Sequence, residues 1–144
     1  MTETKPTVPL TVTHRFAASA ERVFDAWLDP DKAGRFLFAT PDGEMIKVEI
    51  DPVVGGGFNF TERRGEDEVA HIGEYLEIER PTRLVFAFGV PLYSPDRGRV
   101  EIDIEGLAEG GCRLTLTAWI DPEYTERTQH GWTMILGNLE RVVG

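Results

Sequence analysis

From Leu10 onward, short runs of alternating apolar and polar residues mark out strands. Leu10, Val12, His14 and Phe16 alternate with Thr11, Thr13 and Arg15, the pattern of a half-buried strand with His14 on its apolar face. Ser19 then caps a short helix that carries Val23, Phe24 and Trp27 on one side, with Glu21 in its first turn. Asp29-Pro30 closes that helix and opens a second short one through Phe36. Past a Pro41-Asp42-Gly43 turn, Ile46, Val48 and Ile50 alternate as the second strand, and Gly55-Gly56-Gly57 leads into a third with Phe58 and Phe60 on one face. Residues 68–79 read as a long strand, with His71, Gly73 and Tyr75 on one side and Ile72, Leu76 and Ile78 on the other. Pro81 breaks it. Leu84, Phe86 and Phe88 share a face of the next strand; Val100, Ile102 and Ile104, then Leu114, Leu116 and Ala118, do the same further on. Residues 89–98 form the longest loop, with Tyr93 as a candidate for the mouth of any cavity.

The period then changes. Across residues 123–143, Trp132, Ile135, Leu136, Leu139, Val142 and Val143 recur at helical spacing, behind an Asp121 cap and Pro122 in the first turn. A helix of about 20 residues spans roughly 30 Å, enough to cross a small domain. A one-faced sheet and a one-striped helix each need the other to bury their apolar side. The expected class is therefore α+β: an antiparallel meander of about seven strands joined by short turns, two short helices after the first strand, and one long C-terminal helix. Gly131 and Gly137 interrupt the apolar stripe, each at a cost of about 1 kcal/mol against alanine. Close packing on the sheet accounts for both. Gly131 also admits a functional reading, in which it leaves space for a ligand and Trp132 forms a wall of that space.

With 144 residues, the chain is read as one domain, 1–144, with residues 1–8 as a flexible lead-in. A net charge of −10 disfavours nucleic acid and anionic lipid as partners. No stretch has the apolar run of a signal peptide or a membrane span, so the expected location is the cytoplasm. A single cysteine, Cys112, excludes an internal disulfide framework.

Several motifs together resemble a known family. They are Val23-Phe24-Asp25-Ala26-Trp27 followed by Asp29-Pro30, and Asp51-Pro52-Val53-Val54-Gly55-Gly56 before a strand. Gly73-Glu74-Tyr75-Leu76-Glu77-Ile78 follows, with Pro81-Thr82-Arg83-Leu84, then Cys112-Arg113-Leu114-Thr115-Leu116-Thr117, and Gly131-Trp132 in the last helix. Their order resembles the helix-grip fold of START-like proteins, within a branch similar to the C-terminal domain of the activator of heat-shock protein 90 ATPase. The resemblance implies a curved antiparallel sheet gripping the long helix. It also implies a cavity between them that takes a small apolar molecule.

The chemistry-bearing residues are few. His14, His71 and His130 are the three histidines; no two have metal-ligand spacing on one element, and Cys112 has no evident partner, so no metal or cofactor is expected. The triple glycine lacks the following helix and the lysine that a phosphate loop needs, and reads as a hairpin turn. Acidic residues at 66–68 and at 101, 103 and 105 fall in a turn or alternate outward as a solvated face. His14 and His71 are the candidate polar groups of a cavity, since an imidazole can orient a ligand or exchange its proton near neutrality. Either could equally be hydrogen-bonded within the core or at a sheet edge. The expected walls are Phe58, Phe60, Tyr75, Phe86, Phe88, Trp132 and Ile135, because ligand sites are mostly apolar with a few polar anchors. The leading expectation is binding of a small apolar molecule without catalysis. The alternatives are a cyclase- or hydrolase-type enzyme using the same cavity and a chaperone-associated interaction module; homodimerisation is left open.

Overall fold

A seven-stranded sheet receives every strand the alternation predicts. The computed structural model describes residues 7–38, 42–92 and 97–143; Tyr93 and the first six residues of the expected lead-in lie outside them. Val8, the last residue of that lead-in, already pairs in the sheet. The elements run β1 (Val8–Phe16), α1 (Ala20–Leu28), α2 (Pro30–Phe36), β2 (Glu44–Ile50), β3 (Gly57–Arg64), β4 (Asp67–Glu79), β5 (Arg83–Gly89), β6 (Gly98–Gly106), β7 (Cys112–Ile120) and α3 (Thr125–Val143). In space the strands lie β1-β7-β6-β5-β4-β3-β2, with every neighbouring pair antiparallel. β2 to β7 form a meander, and β1 closes on β7 from Val8↔Ile120 to Phe16↔Cys112. The curved sheet and the long helix make this the α+β helix-grip architecture.

Local chemistry sets the helix boundaries. Ser19 accepts from the backbone N–H of Arg22 at 3.2 Å, and Asp29 from that of Asp31 at 2.9 Å, which satisfies donors that the first turns of α1 and α2 would otherwise leave unpaired. Asp121 caps in the same way, accepting from Glu123 N–H at 3.0 Å. The turn it caps, Pro122–Tyr124, is a 3₁₀ turn, and α3 proper begins at Thr125. In α3 the buried stripe is Trp132, Leu136, Leu139 and Val143. It joins Phe24, Trp27 and Phe36 of α1 and α2 and the inward residues of β5, β6 and β7 in one apolar core.

Two bulges alter faces that simple alternation assigns otherwise. The pairing of β4 with β5 shifts between Tyr75 and Glu77, so Ile78 lies opposite buried Leu84 and packs on the core, on the same side as Tyr75. A shift between Met45 and Lys47 likewise brings Met45 rather than Ile46 to the core beside Val48 and Ile50. Gly73 answers a close approach: a side chain there would collide with the Phe58 ring and the Ala87 carbonyl. Among the described residues no helix is long and apolar enough to cross a membrane.

Candidate ligand-binding site

The C-terminal half of α3 packs against the sheet and the short helices, but its first half stands off. Between that first half and the ends of β5, β6 and β7 lies a cavity of about 580 Å³. Small-molecule sites usually measure roughly 300–1,000 Å³. The sheet supplies Phe88, Val100, Ala118 and Ile120 as walls, and α3 supplies Gly131, Trp132 and Ile135. Exposed Tyr124 and Arg127 stand at the rim. Gly131 borders open space, since a side chain added there would meet nothing within 4 Å. The same holds for Gly137, so close packing on the sheet explains neither glycine.

A wall of aromatic rings leads inward. Trp132 meets Phe88 edge to face with centroids 6.1 Å apart, and Phe88 leans on Phe38 at 4.8 Å. Phe38 stacks on His71 at 4.4 Å with only 11° between the planes. Phe38 follows α2 in a left-handed conformation, φ 61°, which is unusual for a bulky residue.

The inner end is polar because β3 continues its alternation past the phenylalanines. Phe58 and Phe60 face the interior, so Glu62 and Arg64 do too. Glu62 is 1% exposed, and an unpaired carboxylate there would be very costly. Arg64 donates from Nε to Glu62 at 2.5 Å and from Nη2 to the Phe38 carbonyl at 3.3 Å. The β3–β4 register sets Phe60 opposite His71, whose Nδ1 lies 3.2 Å from the Phe60 carbonyl oxygen. A carbonyl can only accept, so Nδ1 carries the hydrogen and Nε2 is left as an acceptor in the neutral ring. Burial holds the His71 pKa below its ordinary 6.5, with the Phe60 hydrogen bond acting in the opposite direction. His71 is therefore neutral near pH 7.

Of the residues singled out from sequence, His71, Phe88, Trp132 and Ile135 line this cavity. Phe58, Phe60, Tyr75 and Phe86 do not: they pack ring against ring in the core, Phe58 being 5.3 Å from Tyr75 and 5.5 Å from Phe86. Burial and the Asp51 charge push the Tyr75 hydroxyl far above its ordinary value, keeping it protonated near neutrality. His14 also lies outside the cavity. It sits on β1, at the sheet edge, with Nε2 3.4 Å from Glu140 of α3. Cys112 is buried, and burial raises its thiol pKa. Among the described residues no three His, Cys, Asp or Glu side chains gather as metal ligands would. Phe38, Glu62 and Arg64 escape the sequence reading as site residues. For Glu62 and Arg64 the signal was present, as the next two inward positions after Phe58 and Phe60.

A long helix held in a curved antiparallel sheet, with a hollow beneath its first half, defines a helix-grip protein. The chain belongs to the family described as activator of Hsp90 ATPase homolog 1-like proteins, whose model matches residues 17–144. It is similar to an AHSA1-like protein from Aeromonas hydrophila, at 26% identity over 94% of this chain and 92% of that one, with a TM-score of 0.81. A Chromobacterium violaceum protein is similar at 24% identity over 94% and 96% of the two chains, TM-score 0.82. A Staphylococcus aureus protein of unknown function shares the fold at 15% identity over 96% and 94%, TM-score 0.87. A comparison with curated proteins gave no match.

Proposed function

We propose that this protein binds a small, mainly apolar molecule in the cavity between α3 and the sheet. The supporting observation is Gly131 beside Trp132: the helix accepts an unfavourable residue where the hollow begins and sets an indole as its wall. Affinity would come from burying apolar ligand surface, at about 25 cal/mol per Å², with the polar inner end fixing orientation. Native mass spectrometry of protein purified from its own host is the direct test. A retained small molecule, lost in a Gly131→Phe variant that fills the hollow, is the expected result. A folded wild-type protein that retains nothing and shows no thermal shift with lipids, aromatics or polyketides would count against the reading.

A second reading, catalysis of cyclase or hydrolase type, is favoured by His71 lying in the cavity with the Glu62–Arg64 pair nearby. A neutral buried imidazole can accept a proton from a bound substrate. Under this reading, His71→Phe abolishes turnover while ligand retention persists. The family also makes a chaperone a partner proposal, and stoichiometric capture of a chaperone by the purified protein would support it.

A further inference from the structure

We propose that the ligand of this cavity is a neutral molecule carrying a hydroxyl group, which donates to His71 Nε2 and accepts from Arg64. The proposal rests on the cavity reading above and names the chemical class that the inner end selects. Arg64 and His71 both line the hollow. The guanidinium has five N–H groups, of which those on Nε and Nη2 already bond Glu62 and the Phe38 carbonyl. Among the described residues, the donors on Nη1 and the rest of Nη2 have no partner. The His71 ring is committed at Nδ1 to the Phe60 carbonyl. Among the described residues the one hydrogen bond the ring makes at ordinary distance is that from Nδ1, with the Val69 backbone a weaker neighbour. The neutral ring thus brings an acceptor nitrogen to the wall of the hollow beside the Arg64 donors.

Charge decides between a hydroxyl and a carboxylate. Among the described residues Arg64 is matched by Glu62, and the pair carries no net charge before any ligand arrives. A carboxylate would add an unmatched negative charge next to a buried one, within a chain of net charge −10. It would also face Nε2, an acceptor, with a second acceptor. A hydroxyl satisfies both protein groups at once and adds no charge. Arg99, the other arginine at the sheet side of the cavity, is taken by Glu101 at 2.8 Å and offers an anion little. Arg127 stands at the exposed rim, far too well solvated to hold an anion alone.

Three probes of one shape test this by calorimetry: 2-naphthol, its methyl ether 2-methoxynaphthalene, and 2-naphthoate. The ether keeps the ring and the acceptor but cannot donate. The expected result is that naphthol binds about tenfold tighter than either of the others, the penalty of leaving a buried acceptor unpaired. In His71→Phe, which keeps a ring against Phe38, naphthol falls to the ether's affinity. Equal affinities for all three in the wild-type protein would overturn the hydroxyl assignment and leave the cavity reading standing. Tightest binding of naphthoate would overturn it in favour of an anion site. Binding of none would overturn the cavity reading and this proposal with it. The wild-type ranking is decisive even where the variant fails to fold.

Discussion

Phe60 and Trp132 are both buried aromatics, yet their surroundings differ, and truncation should separate them. Phe60 is fully buried, with Phe58 at 5.8 Å and Phe38 at 5.7 Å, edge to face. Phe60→Ala should cost about 3–5 kcal/mol, as for other aromatic deletions in packed cores. Trp132 is 5% exposed but has the hollow along one side, so fewer contacts vanish with it. Trp132→Ala should cost about 2 kcal/mol, below the range for fully packed rings. Urea unfolding of both variants measures the difference. Equal losses would mean that the indole is packed all round and walls nothing. The same contrast explains why seven candidate walls reduce to three at the cavity. Alternation tells which side of the sheet a ring faces, and Phe58, Phe60, Tyr75 and Phe86 do face inward; it does not tell how far α3 stands from the sheet at that point.

In α3 the two glycines give the sharpest element-level prediction. An added methyl meets nothing within 4 Å at either position, so no packing is lost. Gly131→Ala and Gly137→Ala should each stabilise the protein by about 1 kcal/mol, a rise in Tm of about 4 °C for a chain of this size. Ligand affinity should change only in Gly131→Ala, because Gly131 lines the hollow and Gly137 does not. A drop in Tm for either would show a close contact there. Elements were the most legible scale in the sequence: the Leu10–Phe16 alternation, the Ser19 and Asp29 caps and the stripe from Trp132 to Val143 all have local causes and all form as read. The bulges at Tyr75/Glu77 and Met45/Lys47 were not legible, since an extra residue in one strand is fixed by its partner. His14 misled for a related reason. It lies on the apolar face of an edge strand, and the sheet order that makes β1 an edge lies outside any single strand's pattern. Arg64 and Glu62 went unread because charged residues on an inward face look like the end of the strand, when here each makes the other's burial tolerable.

For the whole molecule, these buried and paired groups predict how stability falls in acid. Above pH 6.5, the ordinary histidine value, His71 is neutral in both the folded and the unfolded chain and contributes no pH dependence. Below it the unfolded chain takes up a proton that the folded chain refuses until its own lower pKa is reached. Protons then favour unfolding, so stability is present above about 6.5 and is lost as pH falls toward the folded value. The paired carboxylates enter later. Asp25 is held below its ordinary 3.8 by its hydrogen bonds to Arg80. Glu101 is held below 4.5 by Arg99 first and Arg83 as well. Their contributions are complete above those ordinary values and fade only as pH drops through the folded ones. The interval from about pH 6.5 to 5 is thus where His71 acts without them. Unfolding midpoints measured from pH 7.5 to 3.5 should fall across that interval in the wild-type protein and stay nearly level in His71→Phe; below about pH 4.5 both should fall together. Parallel curves over the whole range would mean that His71 takes up its proton as readily in the folded chain as in the unfolded one. The ring would then be no desolvated acceptor at the end of an apolar hollow.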